Sequence, residues 1–376
     1  MSAPRVFFYV QHLLGIGHLA RASRIASALA EDGFEVTVVT GGLPVSGFPG
    51  PDIKSVALPA VVASNAGFSG LADEHGKPVD EGFLHQRRDL LLQAFHAARP
   101  DIVIVEAFPF GRRQMRFELL PLLDTIATAS PRPKLLTSVR DILQERTKPG
   151  RDEETVGLIK AHFDHVLVHG DPDFVTLPET FPLAAEIADK IIYTGLVAAP
   201  VPALPTDVFD IVVSAGGGAV GLDLVRSALE AARASSYRGR WCLITGPNLP
   251  EEDFVGLSNQ TADNVTLVRF RKDFLSLLRG AELSISQAGY NTVCDVLQAQ
   301  CRSILVPFTA GGETEQTVRA TRLEELGLAV ALPESGLNAA VLGDAMELSL
   351  SRPKPGSHKL DLNGAKRTAE IVRSLL

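Results

Sequence analysis

The sequence predicts an α/β protein of two domains, each built on a largely parallel sheet. Three observations carry this. Short apolar, β-branched runs alternate with helix-like segments, the pattern of βαβ units. The alternation breaks over Gly195-Leu-Val-Ala-Ala-Pro-Val-Pro-Ala-Leu-Pro205, where three prolines and no helical period mark a linker, and then restarts. Finally, 376 residues, 45% of them hydrophobic, are too many for one ordinary core and suit two.

In chain order, Val6 to Val10 reads as the first strand. It is followed by a helix over Leu19 to Asp32, in which Ala22, Ile25, Ala26 and Leu29 share a face and Gly33 stops the turn. Val36 to Val39 is the next strand, Gln86 to Ala98 a helix, and Asp101-Ile-Val-Ile-Val105 a strand. Leu135 to Val139 and Val166 to Val168 are short continuous apolar runs, as buried strands should be. After the linker come strand Ile211 to Val213 and helix Leu222 to Ala234. The strands Cys242 to Ile244, Val265 to Val268, Leu283 to Ile285 and Ile304 to Val306 follow, with helices over Thr317 to Leu326 and Ala365 to Leu375. The division is 1–200 for a first, Rossmann-like domain, 205–360 for a second, and 361–376 for a terminal helix that packs back on the first.

Lys and Arg number 36 against 44 Asp and Glu, a net charge of −8, which argues against a nucleic-acid binder. Cys242, Cys294 and Cys301 have neither disulfide nor metal-ligand spacing, so a reduced, cytoplasmic chain is expected. The first apolar run is too short for a signal segment, and no run approaches the roughly 18 apolar residues of a membrane helix.

In parallel sheets, ligands bind beyond the carboxyl ends of the strands. Four turns there carry unusual residues. Gly15-Ile-Gly17-His18-Leu-Ala-Arg21 opens the first helix, and its His is placed to act as a general base. It lacks the third glycine of a dinucleotide fingerprint, and Glu35 is a poor ribose-binding acid. Ser214-Ala-Gly216-Gly217-Gly218 suits a phosphate cradle of backbone amides; with no Lys-Ser/Thr after it, it is not a P-loop. Ser286-Gln287-Ala288-Gly289-Tyr290-Asn291-Thr292 can hold a second face of a diphosphate, with Asp295 positioned for ribose hydroxyls; plain N-capping by Ser286 or Asn291 is the simpler alternative. Glu313, Glu315 and Gln316, after strand Ile304 to Val306, are typical acceptors for sugar hydroxyls, or else a solvated helix start.

The spacing of Gly217, Ser286 to Asp295 and Glu315-Gln316, followed by Arg322-Leu-Glu-Glu-Leu-Gly327, resembles glycosyltransferase family 28. That family includes the N-acetylglucosaminyltransferase that makes the lipid intermediate of peptidoglycan. The resemblance implies a GT-B fold: two Rossmann-like domains with parallel sheets facing a central cleft, and the nucleotide-sugar donor on the second. Gly216 to Gly218 and Ser286 to Thr292 would surround the diphosphate. Phe270-Arg271 would edge the base, typically uracil, through backbone groups. Asp295 stands where the family usually has a ribose-binding Glu, and Glu315-Gln316 where it has a Gln pair on the donor sugar. Glu315 departs from that pattern and leaves the sugar open.

The implied activity is an inverting, metal-independent transfer from a UDP-sugar to a hydroxyl acceptor, whether glycan, lipid-linked or small. No cofactor is implied. His18 is the expected base and Asp141 the second candidate, with Gly17, Arg21, Glu106, Arg112 and Arg140 on the acceptor side. Asp171-Pro-Asp173 reads as a turn, not a metal-binding pair. The mixed apolar and basic stretch Phe108 to Phe117 could give peripheral contact with the inner face of a membrane; a partly buried loop is the alternative. A UDP-sugar hydrolase using the Gly-x-Gly-His-x-x-Arg turn, and a noncatalytic nucleotide-sugar binder, are the competing functions.

Overall fold

The computed structural model describes residues 3–13, 17–63, 70–145, 148–216, 221–235 and 237–376. The chain divides into two compact units, Met1–Val197 together with Leu360–Leu376, and Ala198–Lys359.

The first unit begins with β1 (Arg5–Val10), α1 (Gly17–Glu31), β2 (Glu35–Thr40) and β3 (Lys54–Ala57). A two-stranded antiparallel ribbon of β4 (Val62–Ala63) and β5 (Leu71–Ala72) precedes α2 (Glu81–Ala98). Then come β6 (Ile102–Glu106), α3 (Arg116–Thr128), β7 (Lys134–Arg140), α4 (Arg151–His162), β8 (His165–His169) and β9 (Ile191–Tyr193). Its sheet runs β3-β2-β1-β6-β7-β8-β9 with every pairing parallel. Val6 to Val10 are buried on both faces of the sheet, which is why this strand reads as a continuous apolar run. α1 buries Leu19, Ala22, Ile25, Ala26 and Leu29, and Gly33, at φ 84°, lets the chain turn out of it.

The second unit contains β10 (Ile211–Ser214), α5 (Leu222–Ala234), β11 (Trp241–Ile244), α6 (Glu251–Ser258), β12 (Val265–Val268) and α7 (Phe274–Gly280). It continues through β13 (Leu283–Ser286), α8 (Tyr290–Ala299), β14 (Ser303–Leu305), α9 (Glu315–Glu325), β15 (Val330–Ala331) and α10 (Ala339–Ser351). The sheet order is β12-β11-β10-β13-β14-β15, again all parallel. The proline segment belongs to this unit: Arg279 donates to the Pro202 carbonyl, and Pro205 packs against Gly280. The chain then returns to the first unit. Leu196 donates to the Asp361 carbonyl at 2.8 Å, and α11 (Gly364–Ser374) packs on α1, with Arg373 bonded to Asp32 and stacked over Phe34.

Both sheets share one topological feature. The order of addition reverses between β1 and β6 in the first and between β10 and β13 in the second, and such switch points open a crevice at the strands' carboxyl ends.

Several elements differ from the sequence expectation. α2 starts at Glu81 rather than Gln86, because the Asp80 side chain accepts the Phe83 N–H and caps it earlier. α3 forms despite Pro121 inside it, since Leu119, Leu122, Leu123 and Ile126 are buried in the core. The turn after β1 is anchored by Arg87 of α2. Fully buried, this guanidinium makes five hydrogen bonds: two to Glu118, one to Gln11, and one each to the carbonyls of Gly41 and Pro59. Tyr9 donates to the same Glu118 carboxylate. A buried ion pair this completely satisfied holds the loops after β1 and β2 against α2 and α3.

Candidate functional site

At the first switch point, the strand β6 ends on a carboxylate after four apolar residues. Glu106 is fully buried, and its Oε1 lies 2.6 Å from His18 Nδ1 and 2.5 Å from Arg21 Nη2. Arg112 Nε is 4.0 Å from Oε2 of the same carboxylate. His18 and Arg21 are one turn apart at the start of α1, so both face the end of β6. The His18 side chain remains 25% exposed, which leaves its ring accessible while its partner is sealed.

The electrostatics set the protonation states. Burial, reinforced by the charges of Arg112 and Arg21 and opposed by Glu106, pushes the His18 imidazole down to about 4. Burial also works against the Glu106 charge, but His18, Arg21 and Arg112 outweigh it and hold the carboxyl well below the usual range. Near neutrality the pair is therefore a neutral imidazole and an ionised carboxylate. Glu106 accepts the Nδ1 proton, so Nε2 carries the lone pair, as a general base requires.

A cavity of about 160 Å³ opens beside this pair. Its wall includes His18, Arg21, Glu106, Phe110, Arg112 and Arg140. The loop that closes it is strained: Ala107 and Arg112 hold φ of 65° and 57°, unusual for side chains of this kind.

Of the other first-unit residues expected to matter, Gly17, Arg21, Glu106, Arg112 and Arg140 gather at this switch point. Asp141 does not line the cavity. It is fully buried, and its Oδ1 accepts the Ile142 N–H. Asp171 accepts the amides of Asp173 and Asp361, a turn and a tether for the returning chain. The Phe108 to Phe117 stretch is largely packed against the protein. Phe108, Phe110 and Met115 are buried, and Arg113 and Arg116 both pair with Glu154 of α4. No helix among the described residues is long and apolar enough to cross a membrane.

The second switch point has a different chemistry. Ser214 ends β10, its Oγ accepting the Gly216 N–H at 3.3 Å and its carbonyl accepting the Gln287 N–H at 3.2 Å. Ser286 and Gln287 are buried, and among the described residues neither Ser286 Oγ nor Gln287 Nε2 has a hydrogen-bond partner. Gly221 shows why small residues flank this loop: at φ 100°, a Cβ there would lie 2.7 Å from Ala215 and 3.2 Å from Gln287 Nε2. Gly217 and Gly218, expected at the centre of the phosphate cradle, lie outside the described residues, as does Gly15.

α8 begins at Tyr290 with Gly289 as its N-cap and no side-chain cap, so neither Ser286 nor Asn291 caps it. Asn291 and Thr292 fall in its first turn, and Asp295 is buried one turn on. α9 begins at Glu315, so Glu315 and Gln316 form its first turn rather than a loop. Glu315 is buried at 5% exposure, which removes the solvated-helix-start alternative. Gln316 Oε1 accepts the Phe308 N–H, and Glu313 is half-buried. Arg271 is committed to carboxylates, bidentate to Asp273 at 2.8 Å and bonded to Asp207; its side chain is a brace, and Phe270 beside it is 62% exposed.

Two contributors escape sequence reasoning. Glu106 as the partner of His18 is signalled only by a charge closing an apolar strand. Arg319 of α9 is fully buried and donates to the Ala288 carbonyl at 2.7 Å, tying the helix of Glu315 and Gln316 to the loop of Ser286 to Gly289. No sequence pattern marks it.

Comparison with known proteins bears on the family resemblance and the fold. Residues 211–370 match the glycosyltransferase family 28 C-terminal domain. The chain is 26% identical over 221 residues to an uncharacterized glycosyltransferase of Methanopyrus kandleri, covering 54% of this chain and 61% of that protein. It is 28% identical over 166 residues to the UDP-N-acetylglucosamine–N-acetylmuramyl-(pentapeptide) pyrophosphoryl-undecaprenol N-acetylglucosamine transferase of Gloeobacter violaceus, covering 42% of this chain and 46% of that one. The chain thus spans less than two thirds of the length of these relatives. The calicheamicin glycosyltransferase CalG4 superposes with a TM-score of 0.64 at 16% identity, over 100% of this chain and 95% of that one. MurG of Acinetobacter baumannii does so at 0.57 and 15%, over 99% and 100%. The fold is that of the GT-B glycosyltransferases.

Proposed function

We propose that this chain, whose residues 211–370 match the family 28 C-terminal domain, transfers a sugar from a UDP-sugar to a hydroxyl acceptor, with inversion and without a metal. The observation that carries the reading is the His18–Glu106 pair: a neutral imidazole, its tautomer set by a buried carboxylate, at the switch point of the first sheet.

His18 Nε2 takes the proton of the acceptor hydroxyl as its oxygen attacks the anomeric carbon. The bond from that carbon to the diphosphate oxygen breaks, and the electron pair leaves with the nucleotide. Glu106 stabilises the imidazolium that forms, much as a carboxylate supports the base of a hydrolytic triad. Charge growing on the diphosphate is met by amides of the loops after β10 and β13 and by the N-terminus of α8. The uridine assignment rests on the curated relative whose name includes a UDP-sugar.

A thermal-shift series over nucleotides and nucleotide-sugars, with product analysis, tests the reading. UDP or a UDP-sugar stabilises the protein in proportion to RT ln(1 + [L]/Kd). Turnover with an acceptor survives EDTA and gives the inverted glycoside. Failure of every UDP ligand while another nucleotide binds would refute the uridine assignment. Free sugar released as fast without an acceptor as with one would make the protein a hydrolase.

A further inference from the structure

We infer that the second unit carries a further binding site, beside α9, for a small organic cation: an ammonium group on an aliphatic or aromatic body. It takes no part in the sugar transfer proposed above.

A cavity of about 240 Å³ opens beyond the carboxyl ends of β14 and β15, between α9 and the segment that leaves β15. Its floor is apolar, with Pro307, Ala320, Ala331 and Leu332. Along α9, Thr317, Thr321 and Glu324 stand at i, i+4 and i+7, so they share the face turned to it. Glu334 lines it from the segment after β15. Glu315 and Gln316, the residues expected on the donor sugar, do not line it.

The charge of the wall is of one sign. Its residues include two carboxylates, Glu324 and Glu334, and no Lys, Arg or His. Each carboxylate spends one oxygen on the protein. Glu324 Oε1 accepts the Ala331 N–H at 2.9 Å, and Glu334 Oε2 accepts the Thr309 N–H and hydroxyl at 3.3 and 3.4 Å. Ala331 and Thr309 both belong to the lining, so these bonds hold the two side chains at the cavity. The other oxygen of each has no hydrogen-bond partner among the described residues. Arg322, the basic residue nearest Glu324 along α9, is bonded to Glu325 at 2.8 Å.

This combination selects the ligand. An apolar body covers the floor and releases the water over it. A neutral ligand would strip water from two carboxylates and return nothing, and an anion would add repulsion. An ammonium group supplies three donors and the missing opposite charge.

The test uses the full chain labelled with 13C at its threonine methyl groups. The Thr317 and Thr321 signals are assigned by their loss in Thr317→Ser and Thr321→Ser, which keep the hydroxyl. They are followed while isobutylammonium, cyclohexylammonium or phenethylammonium is added at constant pH and ionic strength. Each cation is compared with the alcohol and the carboxylate on the same body. At least one cation should shift both signals saturably and bind roughly tenfold more tightly than its alcohol, while its carboxylate leaves them in place. Glu324→Gln and Glu334→Gln should each weaken that binding roughly three- to fivefold. Both keep an amide oxygen for the Ala331 or Thr309 N–H, and unmoved threonine signals elsewhere report an intact fold. Where one variant disturbs those signals, the other decides. No saturable shift with any of the cations, equal binding of cation and alcohol, or variants that bind like the parent chain would overturn the inference. Turnover enters none of these readouts, so the transferase reading and the cation site fail separately.

Discussion

The two switch points share a topology and differ in what they bury. In the first unit, the carboxyl ends of β1 and β6 bring together an imidazole, a carboxylate and guanidiniums. In the second, the ends of β10 and β13 present a hydroxyl, an amide and glycine backbone, with no charged side chain among Ser214, Gly216, Ser286 and Gln287. The difference teaches what each place is suited to do. Moving a proton requires titratable groups whose pKa values are pushed apart, and that requires charges buried against one another. Holding a diphosphate requires only oriented amides and room for the backbone to approach. The net charge of −8 is compatible with both, because neither site depends on a basic surface.

The contrast can be broken at three points. The largest effect should come from His18→Ala, which removes the base and should lower turnover at least ~100-fold while leaving UDP binding to the second unit intact. Near-normal turnover would take proton transfer away from the first switch point. Glu106→Gln should cost less, on the order of tenfold, because the amide oxygen can still accept the Nδ1 proton. Its pH profile is the sharper readout. With His18 at about 4, kcat/KM should fall only as the pH drops through about 4, where the base becomes protonated. Glu106 raises the His18 value, so its neutralisation should move that acid limb to lower pH; a limb that stays in place or moves up would mean the pair is not coupled. The smallest effect should follow Gly221→Ala. The added Cβ meets Ala215 at 2.7 Å and forces a positive-φ residue, so thermal unfolding should show a loss of about 1–3 kcal/mol. UDP affinity should weaken with little change in the first-unit pH profile. An unchanged affinity would remove the β10 loop from the donor site.

Much of this architecture is legible along the chain. Helix Leu222–Ala234 and strand Val265–Val268 have the bounds their periodicity predicts, because each carries its own pattern and its own punctuation. Elements whose signal is not local are harder to see. β3, Lys54–Ala57, is an edge strand with little apolar content, and α3 contains Pro121, a residue that argues for an end. Pairing with β2 holds the largely exposed β3, and burial of an apolar face overrides propensity in α3. The same division separates the site residues. His18 stands out beside a glycine turn, whereas Arg319 is an ordinary basic residue in a polar helix until folding buries it under the Ala288 carbonyl.

The sequence by itself determined the alternation of strands and helices, the break near residue 200, and the places where unusual residues follow strands. These depend on neighbours within a few positions, and short-range periodicity is enough to read them. Only the tertiary structure decided which turns meet. His18 and Glu106 are 88 residues apart, and they become a base and its support because β6 is laid beside β1. It likewise decided that Arg113 and Arg116 are spent on Glu154 while Arg112 stays in the cavity, a division no reading of three neighbouring arginines can make. The physical reason is that pairing and burial are set by strand order, and strand order is a long-range property of the chain.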